Sequence, residues 1–199
     1  MEKSVQIILL LFILILMAMF LPAQERWSYS AEEMEKTSIN DQEVRRLNEN
    51  VRFVKMDKVI LTDNASQYIT EDVLHLNGNT MMISGLDTLT CDSMVYWSKL
   101  DSIYAKGEIK YVHGPNRGIF GDEMEIQYED SLVKMIRVIK NAFAYNDLNL
   151  RINKDGPYFH FRDEMISKEM IAYFEGGFIS HLILMNMAST LYHVVDDSL

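Results

Sequence analysis

The feature that most constrains this chain is a β-strand unit that repeats at intervals of about thirty residues. Each unit opens with an acidic side chain, and the five openings are Glu32, Asp63, Asp92, Asp122 and Asp163. The intervals are 31, 29, 30 and 41 residues, and an insertion around residues 146–157 lengthens the last one. We expect the copies to stack, because one such unit cannot bury its apolar face alone.

Three other features recur at similar distances from the acidic openings. Two residues after each opening is an apolar position, occupied by Met34, Ala65, Met94, Met124 and Met165. A turn aspartate follows at Asp41, Asp72, Asp101 and Asp130. Each unit then has a corner, at Glu49-Asn50, Gly78-Asn79, Gly107-Glu108, Lys140-Asn141 and, more loosely, Asn186-Met187. Gly and Asn favour such corners because both tolerate positive φ.

The hydrophobic pattern between these corners is that of β-strands. Met124, Ile126 and Tyr128 alternate with polar residues, which predicts one apolar and one solvated face. Strand signals return every 8–12 residues or so, and helical periodicity is not evident over a useful length. The sequence therefore predicts an all-β fold of stacked antiparallel β-hairpins, in which the corners separate short strands.

The register of the repeat indicates which side chains line the interior. The apolar positions after the openings should form one inward row, made of Met34, Ala65, Met94, Met124 and Met165. Tyr96 and Ile126 should form the next row, and Ile109, Tyr111, Phe143 and Leu191 are candidates from the returning strands. These residues are either the lining of an apolar trough or an ordinary core, and alternation alone does not separate the two.

Composition excludes several classes of function. The formal net charge is −10, which disfavours nucleic acid as a partner because its binding needs clustered Lys and Arg. The five histidines show no metal-ligand spacing, and no phosphate loop or nucleophile motif is present. Glu123 and Glu125 should lie on the solvated face rather than act as paired catalytic carboxylates. We therefore expect no catalytic residues, no metal and no cofactor.

The N-terminus resembles an export signal. Glu2-Lys3 precedes an apolar run at residues 7–21, and Pro22-Ala23-Gln24 follows. We expect a signal peptide over residues 1–23 and one β-domain over 24–199, located in the periplasm. The run is about 15 residues long, short of the roughly 20 that span a bilayer, yet an uncleaved anchor stays open as an alternative.

The units LTDNASQYITEDVLHLNGNTMM and LTCDSMVYWSKLDSIYAKGEIKY, following a signal peptide, resemble the OstA-like or LptA-like family of periplasmic lipopolysaccharide-transport proteins. The family's hallmarks are an acidic strand opening and a corner of the Gly-Asn-Val type. The resemblance covers residues 27–192. Residues 27–36, WSYSAEEMEK, resemble the start of the membrane-anchored LptC-like relatives, and residues 192–197 resemble the start of another unit. Both the anchor and the completeness of the domain at its C-terminus therefore stay open.

This resemblance implies an antiparallel β-jelly-roll folded like a taco, with an apolar trough that holds acyl chains. It also implies end-to-end stacking through edge strands, with itself or with other transport proteins, to bridge the inner and outer membranes. The expected function is therefore lipopolysaccharide binding and transport without catalysis. The alternative is a structural or assembly module that binds other proteins through its edge strands. A carbohydrate-active enzyme would need two close carboxylates in a cleft.

Overall fold

The computed structural model describes residues 27–151 and 157–193, and nearly all of them lie in β-strands. The twelve strands are β1 (Ser28–Ser30), β2 (Glu33–Ile39), β3 (Gln42–Lys55), β4 (Lys58–Tyr68), β5 (Val73–Ser84), β6 (Asp87–Trp97), β7 (Ser102–His113), β8 (Arg117–Glu129), β9 (Leu132–Arg151), β10 (Tyr158–Glu175), β11 (Phe178–Met185) and β12 (Ser189–Leu191). The predicted signal segment lies outside the described residues.

The strands form one antiparallel sheet in which consecutive long strands pair as hairpins from β3 to β11. Two short strands, β1 and β2, both pair with β3, while β11 and β12 both pair with β10. Within the described residues the first and last strands do not pair with each other, so the sheet is open. The predicted all-β, antiparallel, hairpin-stacked fold is confirmed.

The sequence predicted that the corners end the strands. In the structure they instead bend most of the strands in the middle. The corner residues 49–50, 78–79, 107–108 and 140–141 have positive φ and lie inside β3, β5, β7 and β9. The pairing register shifts beside each of them, as at a β-bulge. Together with residues 186–187, these corners form a line across the sheet that we call the crease.

The crease divides the sheet into two halves that face each other. Half A contains β2 and β11, together with the parts of β3–β10 that lie on the same side of the crease as these two strands. Half B contains β1 and β12, together with the remaining parts of β3–β10. The inward side chains of both halves form a single buried cluster. A single sheet can bury one whole face only if it folds over itself, which produces the taco-like, jelly-roll arrangement.

The acidic openings stabilise the crease, which accounts for their regular spacing. Asn79 Nδ2 donates a hydrogen bond to Asp63 Oδ2 at 2.8 Å, and Asn141 Nδ2 donates to Asp122 Oδ2 at 2.7 Å. Asn50 Nδ2 donates in the same way to Glu32. Each carboxylate thus holds the corner of the strand that follows it in the sheet.

In the second and third units the first corner residue is a glycine that lies against the acidic side chain, and a Cβ atom on Gly78 would lie 2.5 Å from Asp63 Oδ2. In the third unit Glu108 stands at the asparagine position. Gly107 has φ +79°, and a Cβ atom at this position would lie 2.0 Å from Asp92 Oδ2. The carboxylate therefore occupies the space that a side chain would need, and only glycine fits.

The fifth opening was assigned to the wrong residue. Asp163 accepts hydrogen bonds from the backbone N–H of His193 at 2.9 Å, away from the last corner. The residue next to that corner is Lys168, whose N–H donates to the carbonyl of Asn186 at 3.2 Å. The long β9–β10 hairpin displaces the motif, so counting from the sequence reached a residue in half B.

Small side chains occupy the inside of the crease. Thr80 pairs there with Cys91 and Ala142 with Ser167, while the larger Ile109 is opposite Gly121. A Cβ atom on Gly121 would lie 2.2 Å from a methyl carbon of Val138. The sheet bends sharply here because little side-chain volume separates its two halves.

Candidate functional site

The interior of half A is built around a row of side chains that runs across ten strands. Its members, each paired with the next, are Met34, Leu47, Ala65, Leu76, Met94, Ala105, Met124, Val138, Met170 and Leu184. Ala65, Met94 and Met124 were predicted to share one inward row, and this is confirmed. All three are buried, and the trough is filled here by the protein's own side chains.

The other inward predictions are divided between the two halves. Tyr96 and Ile126 lie in the second row of half A, as predicted, on either side of Ile103. Ile109 is buried at the crease, and Tyr111 is buried in the main row of half B. That row consists of Tyr29, Phe53, Ile60, Met82, Leu89, Tyr111, Ile119, Ala144, Met165 and Thr190.

Met34 has the predicted register but not the predicted burial. It pairs with Leu47 at the start of the half-A row, yet it is 56% exposed. Strand β2 is at the edge of the sheet, so within the described residues Met34 has a neighbouring strand on one side only.

Met165 lies in the other half of the sheet from the row assigned to it. It pairs with Ala144 and contacts the core from half B. Met170 takes the expected place in half A, paired with Val138 and buried. The cause is again the long β9–β10 hairpin, which moves the fifth unit by five residues relative to the others.

Phe143 and Leu191 were also assigned wrongly. Phe143 lies between the inward-facing Ala142 and Ala144, so its ring is on the outer face. It packs there against Phe120 and Tyr145, with centroid distances of 5.7 and 6.3 Å. The corner at Lys140-Asn141, compared with the one at Gly107-Glu108, would have indicated Ala142 and Ala144 instead. Leu191 is exposed on the short strand β12.

The interior opens into a cavity at the end of the sheet formed by β7–β11. The cavity has a volume of about 270 Å³. Most of its lining is apolar, and sequence reasoning missed most of these residues: Ile119, Ala144, Met170, Ala172, Phe174 and Leu182. The exposed side chains of Arg117 and Phe178 border it, so it reaches the surface.

Away from the crease, the two halves meet through a polar contact. Lys58, the first residue of β4 in half B, is buried, and its Nζ lies 2.5 Å from Oδ1 of Asp101 in half A. The hydroxyl of Tyr96 donates to the same oxygen at 2.5 Å, and Lys58 Nζ is 4.3 Å from the ring centroid of Tyr128. Burial raises the pKa of the Tyr96 phenol, and the hydrogen bond to Asp101 raises it further.

Both lateral edges of the sheet are open and carry apolar side chains. Among the described residues, β2 and β11 each have one edge without a paired strand. Met34 on β2 and Ile179 and Ile183 on β11 are exposed there. Such edges can accept another strand through their free backbone groups.

Residues 27–151 and 157–193 contain no group of three potential metal ligands and no helix long and apolar enough to cross a membrane. No model of a protein family matches the chain, and no curated protein matches it in sequence.

Proposed function

We propose that this protein binds and transports lipopolysaccharide in the periplasm, holding acyl chains in the apolar interior at the β7–β11 end of the sheet. The observation that carries the proposal is the cavity there, which continues the two inward rows and reaches the surface beside Arg117 and Phe178. An acyl chain needs a dry, concave lining, and each buried CH₂ contributes about 0.8 kcal/mol.

The size and border of the cavity fit the end of such a lipid. Its volume of about 270 Å³ equals that of about nine water molecules in the liquid, at about 30 Å³ each. Met165, Met170 and Phe174 contribute flexible or flat apolar surface to the wall. Arg117 on the border offers a cation to the phosphate groups of a lipopolysaccharide head.

The open edges support a role in transport as well as in binding. A second protein that added strands to β11 and β12 would extend half A beyond Leu184 and half B beyond Thr190. The apolar interior would then continue into the neighbour, and a lipid could move along it without chemistry in this chain. The expected partners are other lipopolysaccharide-transport proteins or further copies of this one.

Site-specific photocrosslinking tests the lipid assignment. A benzophenone amino acid in place of Met165 should crosslink to lipopolysaccharide, whereas the same residue in place of Glu125, on the outer face of half A, should not. Ala144→Phe should fill the cavity and abolish crosslinking from a second probe at Phe174, while Phe143→Leu on the outer face should preserve it. A folded protein that crosslinks equally at Met165 and Glu125, or at neither, would refute the proposal.

A second candidate is an assembly module that binds only proteins through its edges. It is favoured by the filled interior from β3 to β8 and by the exposed Met34 and Ile183 on opposite edges. It predicts that the cysteines of Met34→Cys and Ile183→Cys form crosslinks between copies or to a partner protein. Under this alternative the probe at Met165 should not crosslink to lipid. Lipid crosslinking at Met165 would exclude this module as the whole function.

A further inference from the structure

The side of the molecule opposite the crease carries a set of exposed apolar side chains at the hairpin turns. We call this side the rim, and define it by the turns at residues 55–58 and 84–87 of half B and 98–101, 129–132 and 175–178 of half A. Each of these five turns presents one large apolar residue to solvent: Met56, Leu86, Leu100, Leu132 and Phe178. The other turns on this side, at residues 40–41, 70–72 and 114–116, carry no large apolar residue. Leu86 and Leu100 are each 72% exposed, among the most exposed apolar residues described.

The turns of the two halves belong to one surface rather than to two separate ones. The Lys58–Asp101 contact at 2.5 Å joins the first turn of half B to a turn of half A. Trp27, beside β1 in half B, donates from Nε1 to Ser98 Oγ at 2.9 Å, in that same turn of half A. Met56 and Leu100 therefore lie on the same side of the molecule, on neighbouring turns.

Charge at the rim is partly withdrawn from solvent. The turn residues Asp87 and Asp101 follow Leu86 and Leu100 in the chain, but both carboxylates are directed to partners. Asp87 Oδ1 is 2.6 Å from Nδ1 of His113, and Asp101 contacts Lys58 and Tyr96. Five charged residues of these turns stay exposed: Asp57, Lys99, Glu129, Asp130 and Glu175. With a formal net charge of −10, the protein is better suited to an uncharged lipid surface than to an anionic one.

The N-terminal chain enters the domain at this rim. Trp27 is buried there against Tyr96, at a centroid distance of 5.6 Å, and against Phe53. The apolar run at residues 7–21 ends six residues before Trp27. Extended chain spans at most about 3.5 Å per residue, so a bilayer that holds the run lies within about 20 Å of the rim.

We propose that the rim is a membrane-docking surface, by which the domain rests on an uncharged lipid bilayer with its crease pointing away. Exposed Leu, Met and Phe side chains at turn tips would enter the boundary between headgroups and acyl chains, as the apolar faces of interfacial proteins do. Phe178 belongs both to the rim and to the border of the cavity. The docked orientation would therefore place the cavity entrance at the bilayer, although docking itself does not depend on acyl chains occupying the cavity.

Fluorescence of a polarity-sensitive dye on single introduced cysteines tests the orientation in the full chain. Leu86→Cys and Leu100→Cys report the two halves of the rim, and Lys106→Cys, exposed next to the crease, is the matched control. The native Cys91 is buried and its pKa is raised to about 12, so it should not take up the dye. The exposed sites leave the core unchanged by substitution.

With phosphatidylcholine vesicles, dye emission at positions 86 and 100 should rise several-fold and be quenched by nitroxide-labelled lipid, while position 106 should not respond. All three variants carry the same apolar N-terminal run, so differences among them report orientation. An equal response at all three positions, a response at one rim position alone, or none at either would overturn the proposal. So would the same rise at positions 86 and 100 without vesicles, because it would indicate contact between protein copies.

The outcome is distinct from that of the lipopolysaccharide experiment. Crosslinking at Met165 without dye quenching at Leu86 and Leu100 would leave the proposed function and remove docking. Quenching at these positions without crosslinking at Met165 would leave docking and remove the proposed function.

Discussion

Lys58 and Asp101 belong to opposite halves of the folded sheet, and their Nζ and Oδ1 atoms are 2.5 Å apart. The lysine side chain is nearly inaccessible, with 7% of its surface exposed, whereas the aspartate is partly open to solvent at 31%. The two residues are 43 positions apart in the chain, so the contact exists only because the sheet folds at its crease. It joins the two halves on the side opposite the crease, where, among the described residues, no strand of one half pairs with a strand of the other.

Asp101→Asn should destabilise the protein by about 3 kcal/mol, because it leaves the ammonium of Lys58 buried without an anionic partner. Urea unfolding followed by circular dichroism measures the free-energy change. The double variant Lys58→Met/Asp101→Asn should lose less stability than Asp101→Asn alone, since methionine packs in the same space without a charge. If the double variant loses as much stability as the two single variants lose together, the two residues do not interact.

Gly107→Ala should destabilise the fold by about 3 kcal/mol, because positive φ and a clash with Asp92 act together. Gly85→Ala is the matched control: Gly85 also has positive φ, but nothing lies within 4 Å of its added Cβ. We expect a loss of about 1 kcal/mol there. Thermal or urea unfolding of both variants separates the backbone cost from the steric one. Equal losses would contradict the role assigned to Asp92.

Stability should fall as the pH rises above about 10, the ordinary pKa of tyrosine. Burial raises the pKa of Tyr111 and of Tyr128 above that value. In this range the unfolded phenols ionise while the folded ones stay neutral, so the stability present below pH 10 is progressively lost. Urea midpoints measured between about pH 8 and pH 11 give the slope.

Tyr128→Phe provides the control for this pH dependence. The hydroxyl of Tyr128 is buried and has no hydrogen-bond partner among the residues that the structure describes, so its removal should cost little at neutral pH. The variant should nevertheless show a shallower alkaline decline, because one buried titrating group is absent. An unchanged slope would mean that Tyr128 does not contribute.

Cys91 should be almost unreactive toward thiol reagents in the native protein. Burial, and secondarily the charge of Asp92, raises its pKa to about 12, so very little thiolate exists at neutral pH. Labelling should be slow in buffer and fast in urea, and its rate should follow global unfolding. The added thiol of Lys106→Cys should react promptly under the same conditions. Rapid native labelling of Cys91 would contradict its buried position.

The local patterns of the chain were sufficient to predict the strand-rich fold, the positive-φ corners and part of the interior. Alternation with period two is a property of any extended backbone, so Ala65, Met94 and Met124 could be assigned to one face from their spacing. Likewise Asp63 and Asp122 could be recognised as recurrent, although their hydrogen bonds to the corners could not. The sequence determined these features because each depends on residues close together in the chain.

The tertiary structure alone decided what the corners do and which apolar residues remain accessible. The sequence interpretation ended strands at Gly107-Glu108, whereas the folded chain bends there and continues, because neighbouring strands pair on both sides. Met34 is exposed because it lies at a sheet edge. Met170 occupies the position that was predicted for Met165, because a long hairpin shifts the last unit. The cavity and the Lys58–Asp101 contact join residues far apart in the chain, and burial of this kind is set by long-range packing rather than by local period.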